Sequence, residues 1–177
     1  MFDFVLARIS MVWMFIFFMH FLPRAHKPSK SILMSVICFS VCTLCDYLTA
    51  FEPECGLGTI SNTLLQAALL QLTVFIACKY HDGRALFVGL TGAAYVLLGN
   101  ALGVEFYVWS GHFFAGLFIA VSMHFLVFTL LYIKLREAFL AQLEKQERRW
   151  LRLCIIPFLF YLSVYSVMVW PADIDEN

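Results

Sequence analysis

Residues 107–133 read YVWSGHFFAGLFIAVSMHFLVFTLLYI, a run of 27 positions without Asp, Glu, Lys or Arg, and Lys134-Leu135-Arg136-Glu137 follows at once. In a helix rising 1.5 Å per residue, about 20 apolar residues cross the roughly 30 Å hydrocarbon core of a bilayer. The stretch is long enough to span a membrane, and the chain around it has the matching composition. Of its 177 residues 62% are hydrophobic, 17% aromatic and only 14% charged, too little polar surface to cover a water-soluble globule of this size.

Working outward, apolar runs recur at 4–22, 31–51, 60–78, 85–104 and 153–170. With 107–133 they predict an all-α polytopic bundle of six transmembrane helices forming a single integral membrane domain over 1–177. Three breaks are marked by Pro or Gly: Pro23 to Lys30, Glu52 to Gly56, and Lys79 to Arg84. Between the fourth and fifth runs only Gly103-Val104-Glu105 interrupts the pattern, so a re-entrant hairpin is the alternative there. Met1-Phe2-Asp3-Phe4 has no basic n-region and no small-residue cleavage site follows its apolar run, so the first helix is read as retained.

The formal net charge is zero, but the charges are sorted. The first, third and fifth connections carry Arg24, Lys27 and Lys30; Lys79 and Arg84; and Lys134, Arg136, Lys145, Arg148, Arg149 and Arg152. These are eleven of the twelve basic residues. The second and fourth carry none and hold Glu52, Glu54 and Glu105, while the chain closes on Asp173, Asp175 and Glu176. By the positive-inside rule the N-terminus lies outside, the basic connections lie in the cytoplasm, and the protein is multi-pass in the plasma membrane. Arg8, the exception, is expected to snorkel outward from the first span. Three of Trp13, Trp109, Trp150 and Trp170 fall near expected interfaces.

Residues 134–152 differ in kind. Leu135, Phe139, Leu143, Gln146 and Trp150 recur at near-helical spacing among charged residues, which predicts a cytoplasmic amphipathic helix continuing the fifth span. It reads as a stalk whose basic side meets anionic headgroups, or as a helix that docks a partner or relays a signal.

Polar side chains within spans carry the functional expectation. Counting along the runs places Asp46, Gln66, Asn100 and His112 roughly 6–10 Å below the outer surface. Ionisable and amide groups at such depth face a bundle interior or a watery cavity. The four are therefore the candidate ligand-binding residues, with Glu52, Glu54, Glu105, Tyr107 and Ser110 above them. The competing reading is that they bond to one another and hold helices together.

Other features point to packing. Cys38, Cys42 and Cys45 share a helix face as small apolar groups, and only Cys55 lies in a loop, so no disulfide framework is expected. Gly99 and Gly103, with Gly92 seven residues earlier, form a close-packing face. Pro157 predicts a kink at the start of the sixth span. His20 and His124 lie at comparable depth, but no further haem signature accompanies them. No phosphate-binding glycine loop, HExxH, GxSxG or paired carboxylates appear. No catalytic centre, metal site, cofactor or nucleic-acid partner is assigned.

Three segments carry a resemblance: Phe21-Leu22-Pro23-Arg24 with its following basic residues; Cys78-Lys79-Tyr80-His81-Asp82-Gly83-Arg84-Ala85-Leu86-Phe87; and Arg149-Trp150 through Pro157-Phe158-Leu159-Phe160-Tyr161-Leu162 to Trp170-Pro171-Ala172-Asp173-Ile174-Asp175-Glu176-Asn177. Together they resemble the N-terminal membrane domain of bacterial GHKL-type sensor histidine kinases. The resemblance implies the signal-input module of a two-component system, passing an external or lipid-borne signal to a cytoplasmic kinase. The kinase region is absent from this sequence, and none of its five histidines has a phosphoacceptor-like context. No enzymatic activity is therefore expected of the chain itself, and its partners would be the lipid bilayer, a second copy, or a separate kinase or ATPase. A rival reading is similar in size and span count to the substrate-binding components of energy-coupling-factor vitamin importers, with a vitamin or metal as cargo. A third is a structural membrane subunit.

Overall fold

The computed structural model describes residues 1–51, 59–145 and 150–169, and every named element among them is a helix. They are α1 (Phe2–Phe21), α2 (Pro28–Phe51), α3 (Thr59–Ala77), α4 (Gly83–Ser110), α5 (Phe113–Lys134), α6 (Arg136–Glu144), α7 (Trp150–Leu153) and α8 (Ile155–Val169). Four of them, α1, α2, α4 and α5, are long and apolar enough to cross a membrane, while the apolar parts of α3 and the last helix are shorter. Large apolar side chains stand exposed along α2 (Leu33, Ile37, Leu44), α5 (Phe118, Phe125, Ile133) and α8 (Ile156, Leu159). Such faces are compatible with contact to lipid.

The boundary between the fourth and fifth runs lies elsewhere than the sequence pattern placed it. Gly103 and Glu105 sit inside α4, and the chain turns at Gly111, whose φ of 68° is left-handed and suits a residue without Cβ. The runs expected at 85–104 and 107–133 are thus helices of 83–110 and 113–134. Of the two readings of Gly103, the packing contact holds and the break does not, for a Cβ there would meet Ala120 Cβ at 2.7 Å.

α4 occupies the centre and packs against α1, α3, α5, α7 and α8. Small residues make this possible. A Cβ at Gly99 would come within 2.4 Å of the His124 ring, and one at Gly92 within 2.5 Å of Phe18. The Gly99–Gly103 pair therefore serves contact within the chain, between α4 and α5, while Gly92 admits α1.

The three basic connections gather at one end of the bundle. Pro23 to Ala25 pairs with the end of α3 through Ala25 N–H to Ala77 O (3.0 Å) and Lys79 N–H to Pro23 O (2.6 Å), an antiparallel bridge between Arg24 and Cys78. Arg84 donates to Leu143 O at 3.2 Å, and Arg136 Nε donates to His20 O at 3.1 Å. At the opposite end Phe2 stacks on Tyr107 with ring centroids 4.1 Å apart and meets Phe113 edge-on.

The stretch 134–152 is not one continuous helix. α5 ends at Lys134, Leu135 bends the chain, and α6 tucks beneath α1. Residues 146–149, including Gln146 of the expected apolar stripe, lie outside the described residues. Phe139 approaches Phe17, Phe21 and Phe87, and Leu143 and Trp150 are buried. Apolar spacing thus did mark a one-sided stretch, but Phe139, Leu143 and Trp150 are covered by the protein's own core, while Leu135 at the bend stays exposed. Trp150 packs on Phe87 and is not an interface anchor. Trp109 is exposed, Trp13 lies against α5, and Trp170 is outside the described residues. The break expected from Pro157 falls at Cys154, between α7 and α8. Proline has no N–H for the carbonyl four residues back, here Leu153, the last residue of α7.

Candidate functional site

α1 and α2 run in opposite directions, so residues equally far from the Phe2 end of α1 and the Phe51 end of α2 stand level. Arg8 is six positions from Phe2 and Asp46 five from Phe51. Across that gap the guanidinium Nη2 and the carboxylate Oδ2 form an ion pair. Arg8 does not snorkel outward. In a medium that solvates charge poorly, a carboxylate one helix away is the lower-energy partner.

The pair is embedded in further hydrogen bonds. Arg8 Nη1 donates to Thr43 Oγ1 at 2.9 Å, and Asp46 Oδ1 accepts from Asn62 Nδ2 at 2.8 Å and from Gln66 Nε2. Gln66 also donates to Asn62 Oδ1 at 3.1 Å, one helical turn away on α3. The Arg8 side chain is 12% exposed and that of Asp46 18%. Arg8 Nε is buried without a partner, and the guanidinium lies 5.6 Å from the ring centre of Phe4 and 5.9 Å from that of Phe39. Phe4, Phe39 and Thr43 are also walls of an open groove of about 410 Å³ completed by Ser40, Leu44 and Tyr47. The charged cluster therefore borders a lateral opening between α1 and α2.

Of the four sequence candidates, Asp46 and Gln66 meet here. Asn100 does not. It bonds Ser10 of α1, whose Oγ also lies 2.9 Å from Leu6 O and 3.3 Å from His124 Nε2. Tyr95 OH donates to His124 O at 2.9 Å. Ser10, Tyr95 and His124 are all buried. His112 is the N-cap residue of α5, exposed in the turn after Gly111, because α5 begins later than its apolar run suggested. Glu105 is likewise exposed on α4. Glu52 and Glu54 fall outside the described residues.

The sequence reading passed over Asn62, Thr43 and Ser10, and it missed Arg8 as a partner. Two signals were available. Arg8 and Asp46 are the charges nearest the middle of two adjacent antiparallel runs, and Asn62 and Gln66 stand four apart on one helix face.

The remaining candidates resolve as packing. Cys38 and Cys42 are buried in the apolar core and, like the other described cysteines, are free thiols. His20 lies beside Phe128 and Tyr132, whereas His124 lies beside Trp13 and Tyr95, so the two imidazoles stand at different levels and do not face each other. Among the described residues no group of three or more His, Cys, Asp or Glu side chains is arranged to hold a metal. At the basic end Asp82 caps α4 by accepting from Arg84 N–H at 2.9 Å, and its carboxylate also takes the Arg84 side chain. That guanidinium hydrogen bond holds the Asp82 carboxyl below the usual carboxylate range. No family model, curated protein or solved structure matches the chain.

Proposed function

We propose that the chain is a six-helix plasma-membrane module, N-terminus outside and basic connections in the cytoplasm, that binds an external or lipid-borne signal for a two-component sensor kinase. The observation that carries the reading is the Arg8–Asp46 pair with Asn62, Gln66 and Thr43 at the edge of an open groove. A charge pair within apolar helices is costly to maintain for packing alone, since apolar residues of similar volume often stabilise as well or better. Collection of the three basic connections at one end supports the orientation.

A route for the signal follows from α1. Near one end this helix carries Arg8, and at the other its His20 carbonyl accepts from Arg136 at the start of α6. A ligand that competes for Arg8 or Asp46 shifts α1 relative to α2, and α6 is the cytoplasmic element tied to that shift. A kinase region or kinase subunit would read the position of α6.

Mass spectrometry of small molecules retained by the purified protein tests this. The native protein is expected to carry an amphiphile that is lost from Ser40→Trp, which fills the groove and leaves the ion pair intact, with the variant unfolding at a similar temperature. Equal retention by both, or unfolding in step with the loss of ligand, would leave the cluster a purely structural one.

A further inference from the structure

At the basic end a cavity opens between α1, α2 and α3. Its apolar wall includes Phe18, Leu22 and Val74, and its polar side is formed by Arg24, Ser31, Ser35 and Thr73. We infer that this cavity binds the phosphate of an anionic phospholipid, with Arg24 and Ser31 as its donors.

Ser31 is the first reason. Hydroxyls in these helices ordinarily donate to the carbonyl four residues back, as Ser35 does to Ser31 O at 3.0 Å and Thr73 to Leu69 O at 2.9 Å. The matching carbonyl for Ser31 is Lys27 O, which already accepts from the N–H groups of Lys30 and Ser31. Ser31 is 4% exposed, and its Oγ is buried without a partner while lining the cavity. A buried hydroxyl left this way is costly unless a ligand or water takes it.

Arg24 is the second. Its backbone is held by the bridge to Cys78, its side chain lines the cavity mouth, and no ion pair engages it among the described residues. Ser35 and Thr73 have already committed their protons to their own helices, so they shape the site without donating to it. The first turn of α2 adds its partial positive charge.

Size and surroundings favour a lipid over a free anion. The enclosed space is about 10 Å³, room for one water-sized group, hence for a single phosphate oxygen with the rest of the headgroup at the mouth. Directly along α2, Ile32, Leu33 and Val36 are exposed and offer an apolar track for an acyl chain. Anionic lipid is enriched on the face where basic connections are expected.

The test places the protein in nanodiscs of mixed phosphatidylglycerol and phosphatidylcholine and reads bound lipid by native mass spectrometry. Preferential retention of phosphatidylglycerol is expected, falling roughly tenfold in Arg24→Gln, the loss of one charge-assisted hydrogen-bonding group. Ser31→Val guards against misfolding. It is expected to lose the preference while unfolding at the same or higher temperature in pure phosphatidylcholine. A Lys27→Gln/Lys30→Gln variant is expected to keep most of the preference, and equal loss there would mean diffuse attraction to basic residues and overturn the site. Unchanged preference in Ser31→Val would overturn it too. Full competition by inorganic phosphate or glycerol phosphate would overturn the lipid assignment in favour of a soluble ligand.

Discussion

Two polar groupings leave α1 in opposite directions from residues two apart. Arg8 turns to α2, whose Asp46 holds Asn62 and Gln66 of α3, and Ser10 turns to α4 and α5, as a helix with about 100° between successive residues requires. The first grouping is charged, partly exposed and beside an open groove. The second, Ser10–Asn100–His124, is neutral in donors and acceptors and sealed by Trp13, Tyr95 and Gly99. Similar depth therefore does not mean similar role: the sealed grouping joins helices, and only the groove-side one is placed to meet a ligand.

The contrast breaks most sharply at the ion pair. Arg8→Ala or Asp46→Ala each leaves a charge without its partner, and each is expected to destabilise the protein by about 3 kcal/mol in unfolding measurements in lipid nanodiscs. A cost below that of the neutral grouping would place the pair in water and dissolve the distinction.

Next in size is the sealed side. Gly99→Ala sets a Cβ against the His124 ring, and overpacking of this kind costs about 1–3 kcal/mol. The same substitution in a His124→Ala background is expected to cost little, because the clashing ring is gone. Equal cost in both backgrounds would show that His124 does not rest on Gly99.

The basic end offers a third. Asp82→Ala removes the side-chain cap of α4 and should cost about 1 kcal/mol, followed through the fluorescence of nearby Trp150. Because Arg84 depresses the folded-state pKa of Asp82, its contribution is complete above the unfolded value of about 4 and fades as pH falls through the lower folded value. A contribution that instead faded on raising the pH would contradict the pairing. The smallest effect is reserved for Asn100→Leu, which removes a neutral interhelical hydrogen bond worth about 0.6 kcal/mol. It should leave ligand retention unchanged, in contrast to Ser40→Trp.

Helix content and the long apolar runs were legible because apolar length is written directly in the sequence. Azimuth was not. Counting residues gave the level of Asp46, Gln66 and Asn100 but not the side of the bundle each faces, so Asn100 was grouped with partners it does not touch. Gly103 reads both as a break and as a packing contact, because a glycine that ends a helix and one that lets helices touch look alike in one dimension, and only the packing reading holds. The break reading also drew His112 into the helix when it stands in the turn. Arg8 was assigned to the water interface because a lone cation in a span has that outlet, and its partner lies 38 residues away.

Reversal of the two charges is the most direct measurement of the Arg8–Asp46 pairing. Arg8→Asp and Asp46→Arg should each destabilise the protein in nanodiscs, and the double variant should recover much of the loss, with a coupling of about 2 kcal/mol. Additive losses in the double variant would mean that α1 and α2 do not meet through these two side chains.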